Sequence, residues 1–208
     1  SVHSSNPPLM KKTIIFDLDG TLVDIEPLFL DILNQMAQQF KFSPILPEER
    51  LSLKHLSLKQ LVWQRLGWRI IFLPFLLERG RTEYKKRVSE VTLFPGIPEL
   101  LRDLKNRGYR LGIVSSSRQD TIEAIAARYA LPVDFIASGK LFHKAQSLRA
   151  TLKREALNTE ETLYIGDEVR DVEACRGAKL DIISVTWGLN SKEALMATGA
   201  PTVDTREE

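Results

Sequence analysis

The feature that most constrains the fold is an alternation of short apolar segments with longer amphipathic ones, which runs from Phe94 onward. The apolar segments are rich in β-branched residues, as buried strands are. The predicted strands are Lys12–Phe16, Tyr109–Val114, Val133–Ile136, Thr162–Ile165 and Asp181–Val185, and the predicted helices are Ile97–Arg107, Arg118–Tyr129, Lys144–Ala156 and Asp171–Ala178. Strands that alternate with helices run parallel, so the sequence predicts an α/β fold with a doubly wound parallel sheet.

The segment from Pro27 to Thr92 interrupts this alternation and predicts an α-helical insertion after the first strand. It has no convincing strand pattern, and its apolar residues recur at helical spacing. One stripe consists of Leu28, Ile32, Leu33, Met36 and Phe40. The domain prediction is therefore a Rossmann-like core made of residues 11–26 and 93–204, a helical cap at 27–92, and flexible termini at 1–10 and 205–208.

The helical insertion is more basic than the rest of the chain. Between Leu28 and Thr92 there are eleven Lys and Arg against six Asp and Glu, whereas the whole chain has a net charge of only +2. A basic lid over an acidic floor suits an anionic substrate, although solvated helix faces are the simpler explanation for any single residue. We expect no nucleic-acid partner, because basic residues without a recognised binding motif are common.

The longest apolar stretch, Leu61–Leu77, contains two arginines and a proline, which make it a poor bilayer span, and we expect no transmembrane segment. It predicts a buried or amphipathic helix pair that is broken near Pro74. The alternative is an exposed face for a membrane surface, an apolar substrate or a second subunit, the last giving a homodimer through the cap.

A single cysteine, Cys175, excludes an intrachain disulfide and fits a cytoplasmic location, and we expect it to be a small buried hydrophobe.

Two aspartates follow the first predicted strand directly. Asp17 and Asp19 are two residues apart, so both side chains leave the chain on the same side if the extended geometry continues past Phe16. Two carboxylates that close need a cation or a shared proton. Gly20 ends the strand, and the sequence therefore predicts a functional site at this point.

Three further groups of polar residues stand where the later strands end, which is where a doubly wound sheet has its active site. Ser115 and Ser116 follow one strand, where hydroxyls at a helix N-terminus bind phosphate, although an ordinary N-cap is the alternative. Lys144 begins the helix after the next strand and offers a cation, with Lys140 as the competing residue.

The third group is GDEVRD at Gly166–Asp171, in which Asp167 and Asp171 add two carboxylates. Carboxylates from separate strands suit a hard cation such as Mg²⁺. Zinc is not expected, because Cys175 and the three histidines show no ligand spacing.

The order of these motifs resembles that of the haloacid dehalogenase-like hydrolases, specifically the phosphoglycolate-phosphatase-like members with a helical cap. The resemblance spans about Lys12 to Leu189 and rests on DLDGTLVD, GIVSSS, the Lys144 segment and GDEVRD. The chain departs from the pattern in two respects. No proline follows Lys144, which keeps Lys140 as an alternative, and the cap is unusually apolar around Trp63–Leu77.

The resemblance implies a role for each motif residue. Asp17 corresponds to the nucleophile and Asp19 to the general acid and base. Mg²⁺ would be held by Asp17, the backbone carbonyl of Asp19, Asp167 and Asp171, with Asp171 in a supporting role. The phosphate would be bound by Ser115, Ser116, Lys144 and Gly20.

These roles predict a Mg²⁺-dependent phosphatase that hydrolyses a small phosphorylated metabolite through an aspartyl phosphate. The presence of an acidic residue, Asp19, at this position argues against a dehalogenase, because a halide leaving group needs no proton. The alternatives are a β-phosphoglucomutase-like phosphomutase and a catalytically silent binding protein with the same fold. The apolar cap makes phosphoglycolate itself, a small and very polar molecule, an unsafe substrate assignment.

Overall fold

A computed structural model of the protein describes residues 10–208, so most of the predicted N-terminal tail lies outside the described residues. The strands are β1 Thr13–Phe16, β2 Val23–Asp24, β3 Thr92–Leu93, β4 Arg110–Ser115, β5 Phe135–Ser138, β6 Thr162–Gly166, β7 Asp181–Val185 and β8 Thr202–Val203. The α-helices are α1 Glu26–Phe40, α2 Arg50–Leu53, α3 Leu58–Leu66, α4 Leu73–Lys86, α5 Ile97–Asn106, α6 Gln119–Arg128, α7 Lys144–Arg154, α8 Val169–Ala178 and α9 Lys192–Met196.

Six of the strands form one parallel sheet, which confirms the predicted doubly wound α/β fold. The strand order is β5-β4-β1-β6-β7-β8, and every neighbouring pair is parallel. The chain leaves β1 towards β4 on one side and returns to β6 on the other side. This reversal beside β1 creates the crevice in which such sheets bind ligands.

Both faces of the sheet are covered, which explains why Ile14, Ile15 and Phe16 of β1 are apolar in succession. Ile14 and Phe16 pack into one buried cluster, whereas Ile15 packs with Tyr164 into the cluster on the other face. The single cysteine, Cys175, belongs to the second cluster and is fully buried. Its predicted role as a small buried hydrophobe is confirmed.

The predicted strand at Val133–Ile136 lies two residues later, at Phe135–Ser138. The N–H of Val133 donates to the carbonyl of Leu131 at 2.8 Å, so this residue is part of a tight turn. The two-residue strands β2, β3 and β8 had no pattern long enough to predict them.

Between β2 and β3 the described chain consists of helices and connecting turns. Helices α1 and α4 pack against each other, and the predicted stripe on α1 is buried at Leu28, Ile32 and Met36. The short antiparallel pair of β2 with β3 lies where the chain enters and leaves this segment. The exact domain boundaries stay a prediction.

The apolar stretch does form two helices, but they are separated by a 3₁₀ segment at Gly67–Phe72. Pro74 lies in the first turn of α4, where its missing N–H costs nothing. The stretch is amphipathic rather than fully buried, since Leu66 and Leu76 are buried whereas Trp68 is 72 % and Ile71 is 68 % exposed. Among the described residues, no helix has both the length and the apolar character needed to cross a membrane.

Candidate active site

The carboxyl ends of three neighbouring strands bring the predicted site residues to one edge of the sheet. Asp17 directly follows β1, Ser115 is the last residue of β4, and Asp167 directly follows β6. These strands lie side by side in the order β4-β1-β6. The site therefore lies at the crevice beside β1.

Three buried carboxylates lie together at this edge. One oxygen from each of Asp17, Asp167 and Asp171 lies within 4.8 Å of the others. Burial raises the pKa of Asp17 to about 7, although Lys144 opposes the shift. Burial, reinforced by Glu168 and Asp171, also raises the pKa of Asp167 well above its ordinary value. Carboxylates this close ionise together only beside a cation, and three oxygen donors of this kind fit Mg²⁺.

The ammonium group of Lys144 contacts two of these carboxylates. Its Nζ donates to Asp17 Oδ2 at 2.7 Å and also to Asp171 Oδ1. Burial works against the charge of Lys144, but the two carboxylates outweigh it and raise the pKa of the lysine. Lys140 is exposed to solvent. The structure thus places Lys144, and not its competitor, against Asp17.

Asp171 also organises the loop that follows β6. Its Oδ2 accepts hydrogen bonds from the backbone N–H groups of Asp167 at 3.1 Å and Glu168 at 3.0 Å. Such a cap starts a helix, and α8 accordingly begins at Val169 rather than at the predicted Asp171. A Cβ on Gly166 would lie 2.4 Å from Asp171 Oδ2, so this loop needs glycine.

Two further glycines leave the space that Asp167 occupies. A Cβ on Gly20 would lie 2.1 Å from Asp167 Oδ2, and one on Gly188 would lie 2.3 Å from the same atom. The hydroxyl of Thr21 donates to Asp167 Oδ1 at 2.9 Å. The N–H of Gly20 donates to the carbonyl of Val23 at 2.9 Å. Gly20, predicted as a phosphate binder, therefore contributes space for Asp167, because its N–H is already used inside the loop.

The half-buried Asp19 contacts hydroxyl groups instead of the carboxylate cluster. Ser117 Oγ donates to Asp19 Oδ2 and Tyr84 OH donates to Asp19 Oδ1, both at 2.6 Å. Ser115 Oγ lies 3.4 Å from Asp19 Oδ2. Burial raises the pKa of Asp19, and the two close hydroxyl donors oppose that shift.

The backbone separates the two aspartates that the sequence placed side by side. Strand β1 ends at Phe16 and the chain bends at Leu18, so the extended geometry does not continue to Asp19. Asp17 contacts Lys144, whereas Asp19 contacts hydroxyls. Among the described residues, the carboxylate of Asp19 is not part of the three-residue cluster. Metal binding through its backbone carbonyl stays a prediction.

The serine run after β4 contributes hydroxyl groups and meets two arginines. The buried Ser115 Oγ accepts the N–H of Ser117 at 3.1 Å. Ser116 Oγ lies 3.4 Å from the guanidinium of Arg170, and its carbonyl accepts from Arg81 at 2.9 Å. Serine hydroxyls and guanidinium groups beside a buried lysine are suited to a phosphate.

A cavity of about 260 Å³ opens beside Asp19. Ser116, Ser117 and Arg170 line it from the sheet edge, and apolar side chains of α1, α3 and α4 line it from the helical segment. The cavity therefore joins the polar site to the interior of the insertion.

Several contributors were not predicted from the sequence. Ser117 belongs to the run that was identified, but nothing distinguished it from its neighbours. Gly188 gave a weak signal as the glycine after a strand. Tyr84 and Arg81 lie on a helix more than sixty residues from Asp19, and Arg170 lies within GDEVRD, where only the aspartates were identified as site residues.

Comparison with known proteins agrees with the fold. The family model described as haloacid dehalogenase-like hydrolase matches residues 14–185. A phosphoglycolate phosphatase from Synechococcus elongatus is 35 % identical over 189 residues, covering 89 % of each chain. A 5'-nucleotidase from Pseudomonas aeruginosa is 31 % identical and covers 88 % of this chain and 86 % of its own. A haloacid dehalogenase-like family hydrolase from Streptococcus pneumoniae superposes with a TM-score of 0.81 at 22 % identity, covering 95 % of each chain.

The chain belongs to the haloacid dehalogenase-like hydrolase family, because the family model spans most of its length. It is therefore an enzyme of hydrolase type.

Proposed function

We propose that this enzyme is a Mg²⁺-dependent phosphatase that hydrolyses a small phosphomonoester through an aspartyl phosphate. The observation that carries the proposal is Asp17, a buried carboxylate held by Lys144 beside two further carboxylates. The family membership and relatives that are named phosphatases make the chain a phosphoric monoester hydrolase. The metal, the intermediate and the residue roles are our inference.

In the first step Asp17 attacks the phosphorus atom, and the bond between phosphorus and the ester oxygen breaks. Asp19 transfers its proton to the departing alkoxide. Burial favours this role because it raises the pKa of Asp19 and so keeps the carboxyl protonated to higher pH. Lys144, in contact with Asp17, offsets the repulsion between the nucleophile and the phosphate.

In the second step water attacks the phosphorus atom of the aspartyl phosphate. Asp19, now a carboxylate, accepts a proton from the water, and the bond between phosphorus and the Asp17 oxygen breaks. Inorganic phosphate leaves and the carboxylate of Asp17 is restored. Splitting one displacement into two is the usual advantage of a covalent intermediate.

Asp17, Asp167 and Asp171 would hold Mg²⁺ with their side chains, and Asp19 with its backbone carbonyl. When bound, the ion supplies positive charge that keeps the carboxylates ionised and offsets the charge of the phosphate oxygens. Ser115, Ser116 and Arg170 would bind the same phosphate from the other side.

Mutation of the nucleophile tests the proposal. With Mg²⁺ and a panel of phosphorylated metabolites, the wild-type enzyme should release phosphate, and Asp17→Asn should lose more than about 10³-fold in kcat. The matched control is Asp103→Asn, which changes an exposed aspartate that pairs with Arg107 on the surface, and it should retain wild-type activity.

Three outcomes would contradict the proposal. Near-normal activity of Asp17→Asn excludes Asp17 as the nucleophile. An isomerised phosphate ester without net phosphate release indicates a phosphomutase. A folded wild-type protein that releases no phosphate from any ester indicates a binding protein.

The cytoplasmic location and the homodimer through the cap remain predictions from the sequence.

A further inference from the structure

The cavity beside Asp19 has two walls of different chemistry. The polar wall is formed by the sheet edge with Asp19, Ser116 and Arg170, to which α4 adds Arg81 and Tyr84. The apolar wall is formed by the helical segment. It includes Ile32, Met36, Val62, Leu66, Leu73 and Leu76.

The size of the cavity defines what it can accept. An apolar protein cavity of about 150 Å³ holds a benzene ring. At about 260 Å³ this cavity is larger. It therefore has room for an apolar group of about six to eight carbon atoms.

We propose that the substrate is a phosphomonoester whose alcohol carries an apolar group of this size, a hydrocarbon chain or an aromatic ring. The phosphate lies at Asp17 and Lys144, and the apolar group extends past Asp19 to the apolar wall. The proposal rests on the proposed function, because it takes the ester oxygen to be next to Asp19.

A small polar alcohol fits this cavity poorly. A carboxylate on the alcohol part of the ester, as in 2-phosphoglycolate, would lose its hydration against the apolar wall without gaining a partner there. Arg65 in the lining is paired with Glu49 at 3.1 Å, and Arg170, which pairs with Glu168 at 2.5 Å, lies at the sheet edge where the phosphate would bind.

Arg81 is the remaining arginine in the lining, and it lies at the phosphate side of the cavity. It donates to the carbonyl of Ser116 at 2.9 Å, next to the serine run that follows β4. This position suits contact with the phosphate rather than with the far end of an alcohol.

A series of n-alkyl monophosphates tests the proposal on the wild-type enzyme with Mg²⁺. Methyl, butyl and hexyl phosphate have leaving groups of similar basicity, so differences report contacts of the chain. The kcat/KM value should rise at least about tenfold for each two methylenes, the value expected for burial of apolar surface. The kcat/KM values of hexyl and 2-phenylethyl phosphate should both exceed that of 2-phosphoglycolate. The higher of the two shows whether the cavity prefers a hydrocarbon chain or an aromatic ring.

A pair of leucine substitutions on α4 tests the place of binding. A Cβ on Gly80, which lines the cavity, meets only Met36 Sδ at 3.5 Å, so the side chain of Gly80→Leu extends into the cavity. This variant should lower kcat/KM for hexyl phosphate at least tenfold more than for methyl phosphate. Arg79→Leu places the same side chain on the exposed face of the helix and should leave the ratio of the two esters unchanged.

Binding of alkylphosphonates, which have no ester bond to hydrolyse, separates this proposal from the proposed function. Suppose that no ester is hydrolysed, but hexylphosphonate binds at least tenfold more tightly than methylphosphonate and Gly80→Leu removes the difference. The apolar binding site is then supported, and the phosphatase function is wrong. If esters are hydrolysed with no dependence on chain length, or 2-phosphoglycolate is preferred, the function stands and the apolar site is wrong. Absence of both hydrolysis and chain-dependent binding overturns both.

Discussion

At the scale of single residues, burial and neighbouring charges give two aspartates of the site different roles. Asp17 and Asp19 are both aspartates whose pKa is raised by burial, but only Asp17 contacts an ammonium group. Lys144 favours the ionised form of Asp17, as a nucleophile requires. Asp19 contacts hydroxyls instead of an ammonium group, and burial keeps its pKa raised, so it is better placed to hold a proton and release it.

Replacement of each candidate lysine tests this division. Lys144→Met should lower kcat/KM at least about 10²-fold, because the charge that offsets the phosphate is lost. It should also destabilise the metal-free protein by about 3–5 kcal/mol, since Asp17 and Asp171 stay buried without their ammonium partner. Phosphate release and urea unfolding measure the two effects.

Lys140→Met is the matched control, because the same change is made at an exposed lysine. Its free energy of unfolding should stay within about 0.5 kcal/mol of the wild-type value, with activity unchanged. Loss of activity in Lys140→Met alone would show that the assignment of Lys144 is wrong.

Asp17, Ser115 and Asp167 could be identified from the sequence because each stands where a strand pattern ends, and strand ends share one edge of a parallel sheet. Lys144 could be identified because it begins the helix that follows the next strand. The sequence did not identify Tyr84. That residue lies inside a helix, and the amphipathic pattern of a helix shows which face is apolar but not which distant loop a polar side chain reaches.

At the scale of elements, helix α4 connects the insertion to the catalytic edge of the sheet. Leu76 is buried in the same apolar cluster as the buried side chains of α1. Near the other end of the helix, the hydroxyl of Tyr84 donates to Asp19 at 2.6 Å. The helix thus carries both apolar cavity wall and a hydrogen bond to the proposed acid. A change in its position would alter substrate contacts and the ionisation of Asp19 together.

Removal of the Tyr84 hydroxyl tests this connection. A hydroxyl that donates to a carboxylate stabilises the ionised form, so Tyr84→Phe should raise the pKa of Asp19. Since Asp19 must be protonated in the first step, the alkaline limb of kcat/KM against pH should move to higher pH. The value of kcat at the optimum should change by less than about tenfold.

Tyr129→Phe provides the control, because it also removes one hydroxyl hydrogen bond, to the carbonyl of Val91 at 2.7 Å, away from the site. Its pH profile should match that of the wild-type enzyme. An unmoved alkaline limb in Tyr84→Phe would mean that the tyrosine does not act through Asp19.

The elements were predicted unevenly, for physical reasons. The five long strands were recognised because residues buried on both faces of a parallel sheet give continuous apolar runs. The break between α3 and α4 was predicted near Pro74, and the 3₁₀ segment at Gly67–Phe72 ends two residues before it. Pro74 itself lies in the first turn of α4, because a proline is tolerated there.

At the scale of the whole molecule, most of the positive charge of the insertion is taken up by ion pairs. Arg65 pairs with Glu49 and Lys85 pairs with Asp120, so these basic side chains are neutralised by neighbouring carboxylates and do not present a free charge to a substrate. Arg81 instead reaches the sheet edge. The predicted basic lid therefore consists mostly of solvated or paired helix residues, with a local contribution at the phosphate side of the cavity.

The buried acidic cluster should make the stability of the whole molecule depend on Mg²⁺ and on pH. A carboxyl whose folded pKa is raised contributes stability below its unfolded pKa of about 4 and loses it as pH rises through the folded pKa. For Asp17 this window ends at about 7. Mg²⁺ should relieve this loss, so the rise in Tm that it causes should be larger at pH 8 than at pH 5.

At about 100 times its Kd, Mg²⁺ should add about 2.7 kcal/mol at pH 8, which for a domain of this size is a rise in Tm of about 5–10 °C. At pH 5 the rise should be less than half as large, because protons compete for the same carboxylates. Thermal unfolding at each pH with MgCl₂, and with KCl at equal ionic strength, measures the specific effect. Asp167→Asn should remove most of the Mg²⁺-dependent rise at pH 8. An equal rise with KCl, or a larger one at pH 5, would show that the cluster of Asp17, Asp167 and Asp171 does not hold the ion.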